Sequence, residues 1–227
     1  MGARRNGRGW RWAGLGLLAV LLVGVPFASS GYILRLLTTL FTFAIMAEAW
    51  NFIGGFAGYA DFGAVVFFGL GGYTTAVLMV KANAPFWASF LAGGILCGLF
   101  AVLVGLPVLR LRGHYFAIAT LGVSQAVREV VANWPSLTGG GTGISLPIPD
   151  FGGSVFYYLM LVLLAAILLL AWAISRGRFG FGLVAIRENE QAAQVMGVNA
   201  LRYKVLAYAL AGFFIGLVGG IHAYWFT

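Results

Sequence analysis

Charge is scarce in this sequence. Only 9% of its 227 residues are charged, six of them acids, and histidine occurs twice, where a soluble domain carries about a quarter charged residues. That deficit excludes an ordinary soluble domain. Cysteine is limited to Cys97, so no internal disulfide and no cysteine-based metal cluster can form, and its setting in FLAGGILCGLFAVLVG suits a small buried apolar residue. The acids Glu48, Asp61, Glu129, Asp150, Glu188 and Glu190 and the histidines His114 and His222 show no metal-ligand spacing. No Gly-x-Ser-x-Gly or His-Glu-x-x-His pattern occurs, which argues against an enzyme and leaves no catalytic residue, metal or cofactor to assign. The run GGGTG at 139–143 lacks the following Lys-Ser/Thr of a phosphate loop, so the chain itself is not expected to bind ATP.

What is abundant is apolar surface: 61% of the residues are hydrophobic. Runs able to cross roughly 30 Å of hydrocarbon fall at 12–28, 33–51, 64–80, 86–109, 115–132, 154–174 and 204–226. They predict an all-α polytopic membrane bundle of six to seven spans in a lipid bilayer. Residues 1–11 read as a basic cytoplasmic tail and 12–227 as one membrane domain. The net charge of +8 could suggest a nucleic-acid partner, but the basic residues cluster at the ends of the apolar runs. Strict alternation from a cytoplasmic N-terminus leaves Arg35, Lys81 and Arg128 on the outer side and the other basic residues inside, as the positive-inside rule requires. Nucleic acid is therefore not expected. The segment from Ala13 to Ala28 has no convincing cleavage site before SSGY and reads as a retained span.

Polar groups inside apolar runs are the candidates for a translocation path. Thr120, Ser124 and Arg128 recur at i, i+4 and i+8 in the fifth run, giving one helical face that must avoid lipid. That face serves either as the wall of a path or as a packing surface with a snorkelling arginine. Glu48, Asn51 and Asp61 flank the second and third runs, where the carboxylates either mark a pathway or sit exposed at the inner interface. Around them NFIGGFAGYADFGAVVFFGLGGY carries enough glycine to permit a broken or re-entrant backbone.

The largest expected cytoplasmic feature is the loop 175–203. The pattern predicts a short helix there, with Arg187, Glu190 and Gln194 on a polar side, Ala192, Val195 and Met196 on the other, and Gly197 as a stop. Its apolar stripe is narrow and made of small residues, whereas a membrane-surface helix needs a broad face with Trp, Phe or Leu. Docking of another protein fits better than docking of lipid.

The stretch from Arg187 to Gly197, with Glu190-Gln191-Ala192-Ala193 and a glycine four residues past the second alanine, resembles the EAA loop of ABC importer permeases. Its context FGFGLVAIRENEQAAQVMGVNALRYKVLAYALAGFFIGLVGGIHAY is similar to the branched-chain amino acid importer permeases of the LivM type, as are NFIGGFAGYADFGAVVFFGLGGYTTAVL and LRGHYFAIATLGVSQAVREVVANWPSLTGGGTGI, in the same order. The resemblance implies one permease subunit in the cytoplasmic (inner) membrane. Its implied partners are a second related permease, two ATPase subunits and an extracytoplasmic solute-binding protein. It further implies ATPase coupling through Arg187, Glu190, Gln191, Ala192, Ala193 and Gly197: polar contacts from Glu190 and Gln191, close approach at the alanines and a bend at the glycine. Asp61 and Ala64 stand where the family usually has a small polar residue and a histidine, which brings urea, a short amide or another small polar solute into range. The family pattern also continues through more helices beyond the EAA loop, which implies a short or truncated chain. An ion-coupled secondary transporter is the rival class, and it would need a coupling carboxylate such as Asp61.

Overall fold

The computed structural model describes residues 21–27, 31–111, 113–149 and 151–226, and the expected basic tail 1–11, most of the first expected span, Arg112, Asp150 and Thr227 lie outside them. Among the described residues every regular element is a helix. The order begins with α1 (21–27), α2 (Gly31–Asn51) with a π-helical extension Phe52–Phe56, α3 (Val65–Lys81), α4 (Phe86–Val108) and α5 (His114–Ala132). It continues with α6 (Pro135–Thr138), a 3₁₀ turn Gly140–Thr142, α7 (Gly153–Arg176), α8 (Arg178–Glu188), α9 (Glu190–Val195) and α10 (Ala200–Trp225).

From Val205 to Ile221 helix α10 is apolar on all sides, and such a stretch must be surrounded. Its residues from Phe214 to Ile221 are buried without interruption. It packs chiefly against α3 and α4, and glycines make the crossings possible. A β-carbon at Gly71 would overlap the carbonyl oxygen of Gly216, and one at Gly219 would overlap that of Phe68. Small residues substitute here for the hydrophobic drive that lipid removes, because close backbones gain dispersion contact along their whole length. Cys97 is fully buried at the same crossing and its thiol donates to the Phe67 carbonyl at 3.2 Å.

On the opposite flank α2 lies against α7, where the Phe41 and Tyr157 rings are 5.3 Å apart. Tyr157 and Tyr158 donate to the carbonyl oxygens of Leu22 and Val23 and so fasten α1 to α7. The outward faces are apolar: Leu99, Leu103 and Leu169 are each about two-thirds exposed, a belt that water would not tolerate and lipid does. Among the described residues four helices are both long and apolar enough to cross a membrane: Gly31–Phe56, Phe86–Val108, Gly153–Arg176 and Ala200–Trp225. Helix α3 is shorter, and α5, in the place of the fifth expected span, is not among those four.

The connections alternate between the two ends of the bundle, as the expected topology requires. At one end the C-terminus of α4 meets the start of α10 and the turn after α2. At the other end Phe86, opening α4, lies 4.8 Å from Tyr224 and 6.4 Å from Phe151, and Lys81 donates to the Ser136 carbonyl.

Two expectations need correction. The expected loop 52–63 is partly helical, because α2 runs on through its π turn to Phe56. The single helix expected around 187–197 is two helices divided at Asn189, which takes an extended conformation and accepts the Ala192 amide on its side-chain oxygen at 3.0 Å. Asparagine is among the best N-caps because its short side chain satisfies an amide that the helix cannot.

Candidate coupling site

The candidate site stands at the end of the bundle where the segments 57–62, 109–117 and 186–204 converge. The chain leaves the π turn through Gly58, whose φ of 75° favours glycine and whose missing side chain leaves room for the Arg187 stem. Arg187 donates to the Gly55 carbonyl at 3.0 Å and pairs with Glu188 at 3.0 Å, so the end of α8 is pinned to the π turn. Beyond Gly58 the backbone is not helical, and its polar groups find partners inside the protein. The Trp50 indole donates to the Asp61 carbonyl at 2.8 Å, Gly63 donates its amide to the Asp61 carboxylate at 2.8 Å, and the Phe62 amide reaches the Thr120 hydroxyl at 3.2 Å.

Asp61 is thus buried within the protein. It is 4% exposed and organises the turn into α3, and Thr120, fully buried, braces the same turn from α5. Glu48 and Asn51 bond to each other at 3.2 Å, apart from that turn. Ser124 and Arg128 line a separate cavity of about 360 Å³ between α3, α5 and Gly140-Gly141. The six path candidates thus divide into three groups, and Thr120 turns inward while Arg128 is exposed.

Helix α9 is held from below by a network that involves Glu190, Lys204 and Tyr59. The Lys204 ammonium donates to Glu190 Oε1 at 3.0 Å, to the Tyr59 hydroxyl at 2.9 Å and to the Leu109 carbonyl at 2.9 Å, while Tyr59 donates to Glu190 Oε2 at 2.8 Å. Lys204 also lies 4.6 Å from the centre of the Tyr59 ring. Each charge sits where a helix dipole favours it. Glu190 is the first residue of α9, and the ammonium meets the C-terminal carbonyl that α4 cannot satisfy itself.

Of the two alanines expected to allow close approach, one turns inward and the other outward. Ala193 is buried against Ile186 and Ala200, whereas Gln191, Ala192, Gln194, Val195 and Met196 are exposed, Val195 and Met196 by more than four-fifths. The helix then ends in a Schellman motif: Val198 donates to the Ala193 carbonyl and Gly197 to that of Gln194, with Gly197 at φ 87°. Beside α9 a cavity of about 660 Å³ opens between 57–62, 113–117 and 186–191. Sequence reasoning missed Lys204 and Tyr59. The available signal was a lysine just inside the last apolar run, which calls for a buried partner.

The family model described as branched-chain amino acid transport system / permease component matches residues 32–227. The chain is 30% identical, over 91% of its length and 56% of the relative's, to the "High-affinity branched-chain amino acid transport system permease protein LivM" of Escherichia coli (strain K12). It is 26% identical, over 69% of this chain and 51% of the relative, to the "Probable branched-chain amino acid transport permease protein LivM" of Methanocaldococcus jannaschii. At 26% identity over 68% of this chain and 55% of the relative, it also matches the "Nucleoside ABC transporter permease protein NupC" of Lactococcus lactis subsp. cremoris. The chain spans about half the length of these curated relatives, and no solved structure matches it. With the family model matching from residue 32 to residue 227 and 30% identity over 91% of the chain to a curated relative, the chain belongs to the branched-chain amino acid transport system permease family.

Proposed function

We propose that this chain is a permease subunit of an ABC importer that moves branched-chain amino acids or a related small polar solute across the cytoplasmic membrane. Separate ATPase subunits supply the energy, a second related permease completes the path, and an extracytoplasmic binding protein delivers solute. The N-terminus and α9 face the cytoplasm, in keeping with the positive-inside bias.

One observation carries the reading: α9 turns exposed Ala192, Val195 and Met196 outward from the end of a membrane bundle. A face of small and flexible apolar residues suits a groove on a partner protein better than water. Gln191 and Gln194 border that face and supply polar contacts, and Gly197 sets the bend that aims it. ATP-driven closure of the partner can favour one permease state only if its groove holds α9 differently in the two states.

Cysteine crosslinking from Gln194→Cys and Met196→Cys in native membranes tests this, since the buried Cys97 does not compete for reagent. Capture of a nucleotide-hydrolysing subunit is expected, and capture of none at either position overturns the reading. The Lactococcus relative favours a second solute, a nucleoside, and the departure from the family pattern at Asp61 and Ala64 keeps urea or a short amide as a third. Uptake competition in vesicles holding the whole transporter separates the three solutes.

A further inference from the structure

The contacts made by Glu190 raise a question that the docking face does not answer, namely how a displacement of α9 reaches the membrane helices. Helix α9 has six residues, and Gln191, Ala192, Gln194 and Val195 on it are exposed among the described residues. On its inner side the joints are the Ala193 packing patch and the Glu190 carboxylate. Both carboxylate oxygens are engaged inside the protein, by Lys204 and by Tyr59.

Lys204 belongs to α10, the central helix around which α3 and α4 pack. Its side chain is 2% exposed, and that of Glu190 is 16% exposed. The same ammonium holds the end of α4 through the Leu109 carbonyl and the turn after α2 through the Tyr59 hydroxyl. A buried, fully hydrogen-bonded ion pair has a narrow geometric optimum and is costly to break, because either charge left alone is poorly solvated. It behaves as a stiff link, whereas apolar contacts slide. The loop between α9 and α10 is also short, and Asn199 caps α10 on the Arg202 amide at 3.1 Å, so little slack lies beside the link.

We infer that Lys204, with Glu190 and Tyr59, is the positioning joint that passes movement of α9 into α10, α4 and the turn before α3. Glu190 then serves the bundle and leaves recognition of the partner to the exposed face. This assignment rests on the proposed docking of an ATPase at α9.

The variants Glu190→Gln, Lys204→Met and the pair together are compared with the unmodified chain in the reconstituted transporter. The double variant removes both charges at once and so avoids an orphaned buried ion. Two readouts are taken: solute moved per ATP hydrolysed, and the mobility of a spin label at Gln194→Cys in bilayer discs. The expected result is a mobile label and a loss of about tenfold in solute moved per ATP, the size of an ordinary coupling free energy, while ATPase co-purification, measured on the unlabelled variants that keep Gln194 and the rest of the exposed face, stays unchanged. Lys204→Arg, which keeps the charge, is expected to recover part of the coupling. Should the double variant keep an immobile label, or hold its solute-to-ATP ratio within twofold of the parent, the joint is overturned. If the unmodified chain captures no ATPase, the docking reading fails on its own account, and the label alone decides whether Lys204 holds α9.

Discussion

At the scale of single residues, Gly197 and Lys204 show how different kinds of constraint support one short helix. A β-carbon at Gly197 would meet no neighbouring atom, so the demand for glycine comes from its φ of 87° alone, a conformation that costs an ordinary L-residue about 1–2 kcal/mol. Gly197→Val is therefore expected to lower solute-stimulated ATP hydrolysis in reconstituted complexes without reducing membrane yield, while Gly197→Asn, tolerated at left-handed helix ends, stays close to the parent. Equal activity in Val and Asn variants would remove the argument. Lys204 is constrained by burial. Lys204→Ala removes the ammonium 3.0 Å from the Glu190 carboxylate, which is expected to cost about 3–5 kcal/mol and to lower the melting temperature in detergent by several degrees. The double variant Lys204→Met with Glu190→Gln should melt nearer the parent, since no buried charge remains unpaired.

At the scale of elements, the crossings of α10 depend on glycine. Gly219→Leu places four carbons where the Phe68 carbonyl lies, and neither backbone can retreat without separating α3 from α10. Loss of a monodisperse species on gel filtration is expected, whereas Gly69→Leu on the open side of α3, where nothing lies within 4 Å, should be tolerated. This scale also shows what the sequence could reveal. The apolar runs at 33–51, 86–109 and 154–174 became helices with nearly the expected bounds, because length and hydropathy alone dictate a span. The division at Asn189 was hidden because the surrounding residues all favour helix, and only the asparagine's ability to cap α9 decides where one helix stops. The inward turn of Thr120 was hidden for another reason. Helical spacing groups it with Ser124 and Arg128, but only the tertiary position of the 61–63 turn selects which of the three meets protein. Ala193 and Ala192 are alike in sequence, and the packing of Ile186 and Ala200 separates them.

At the scale of the whole molecule, the proposed coupling needs α9 on the face of the membrane where ATP is present, and the fold makes that a matter of parity. Among the described residues, the connections gather in two groups at opposite ends of the bundle. One holds Tyr59, Leu109 and α9, and the other holds Lys81, Ser136 and Phe151. Any assignment that places one group inside the cell places the other outside. Met196 is 84% exposed in the first group and Ile148 is 84% exposed in the second, so a cysteine at either is open to a water-soluble maleimide, while Cys97 stays shielded. In intact cells Ile148→Cys is expected to label and Met196→Cys to resist until the membrane is opened. In inverted vesicles the order is expected to reverse. Labelling of both from one side would break the alternation of spans on which the fold rests. A clean exchange of the two would keep the bundle intact but turn α9 away from ATP, and no exposed apolar face could then serve as the seat of a cytoplasmic motor.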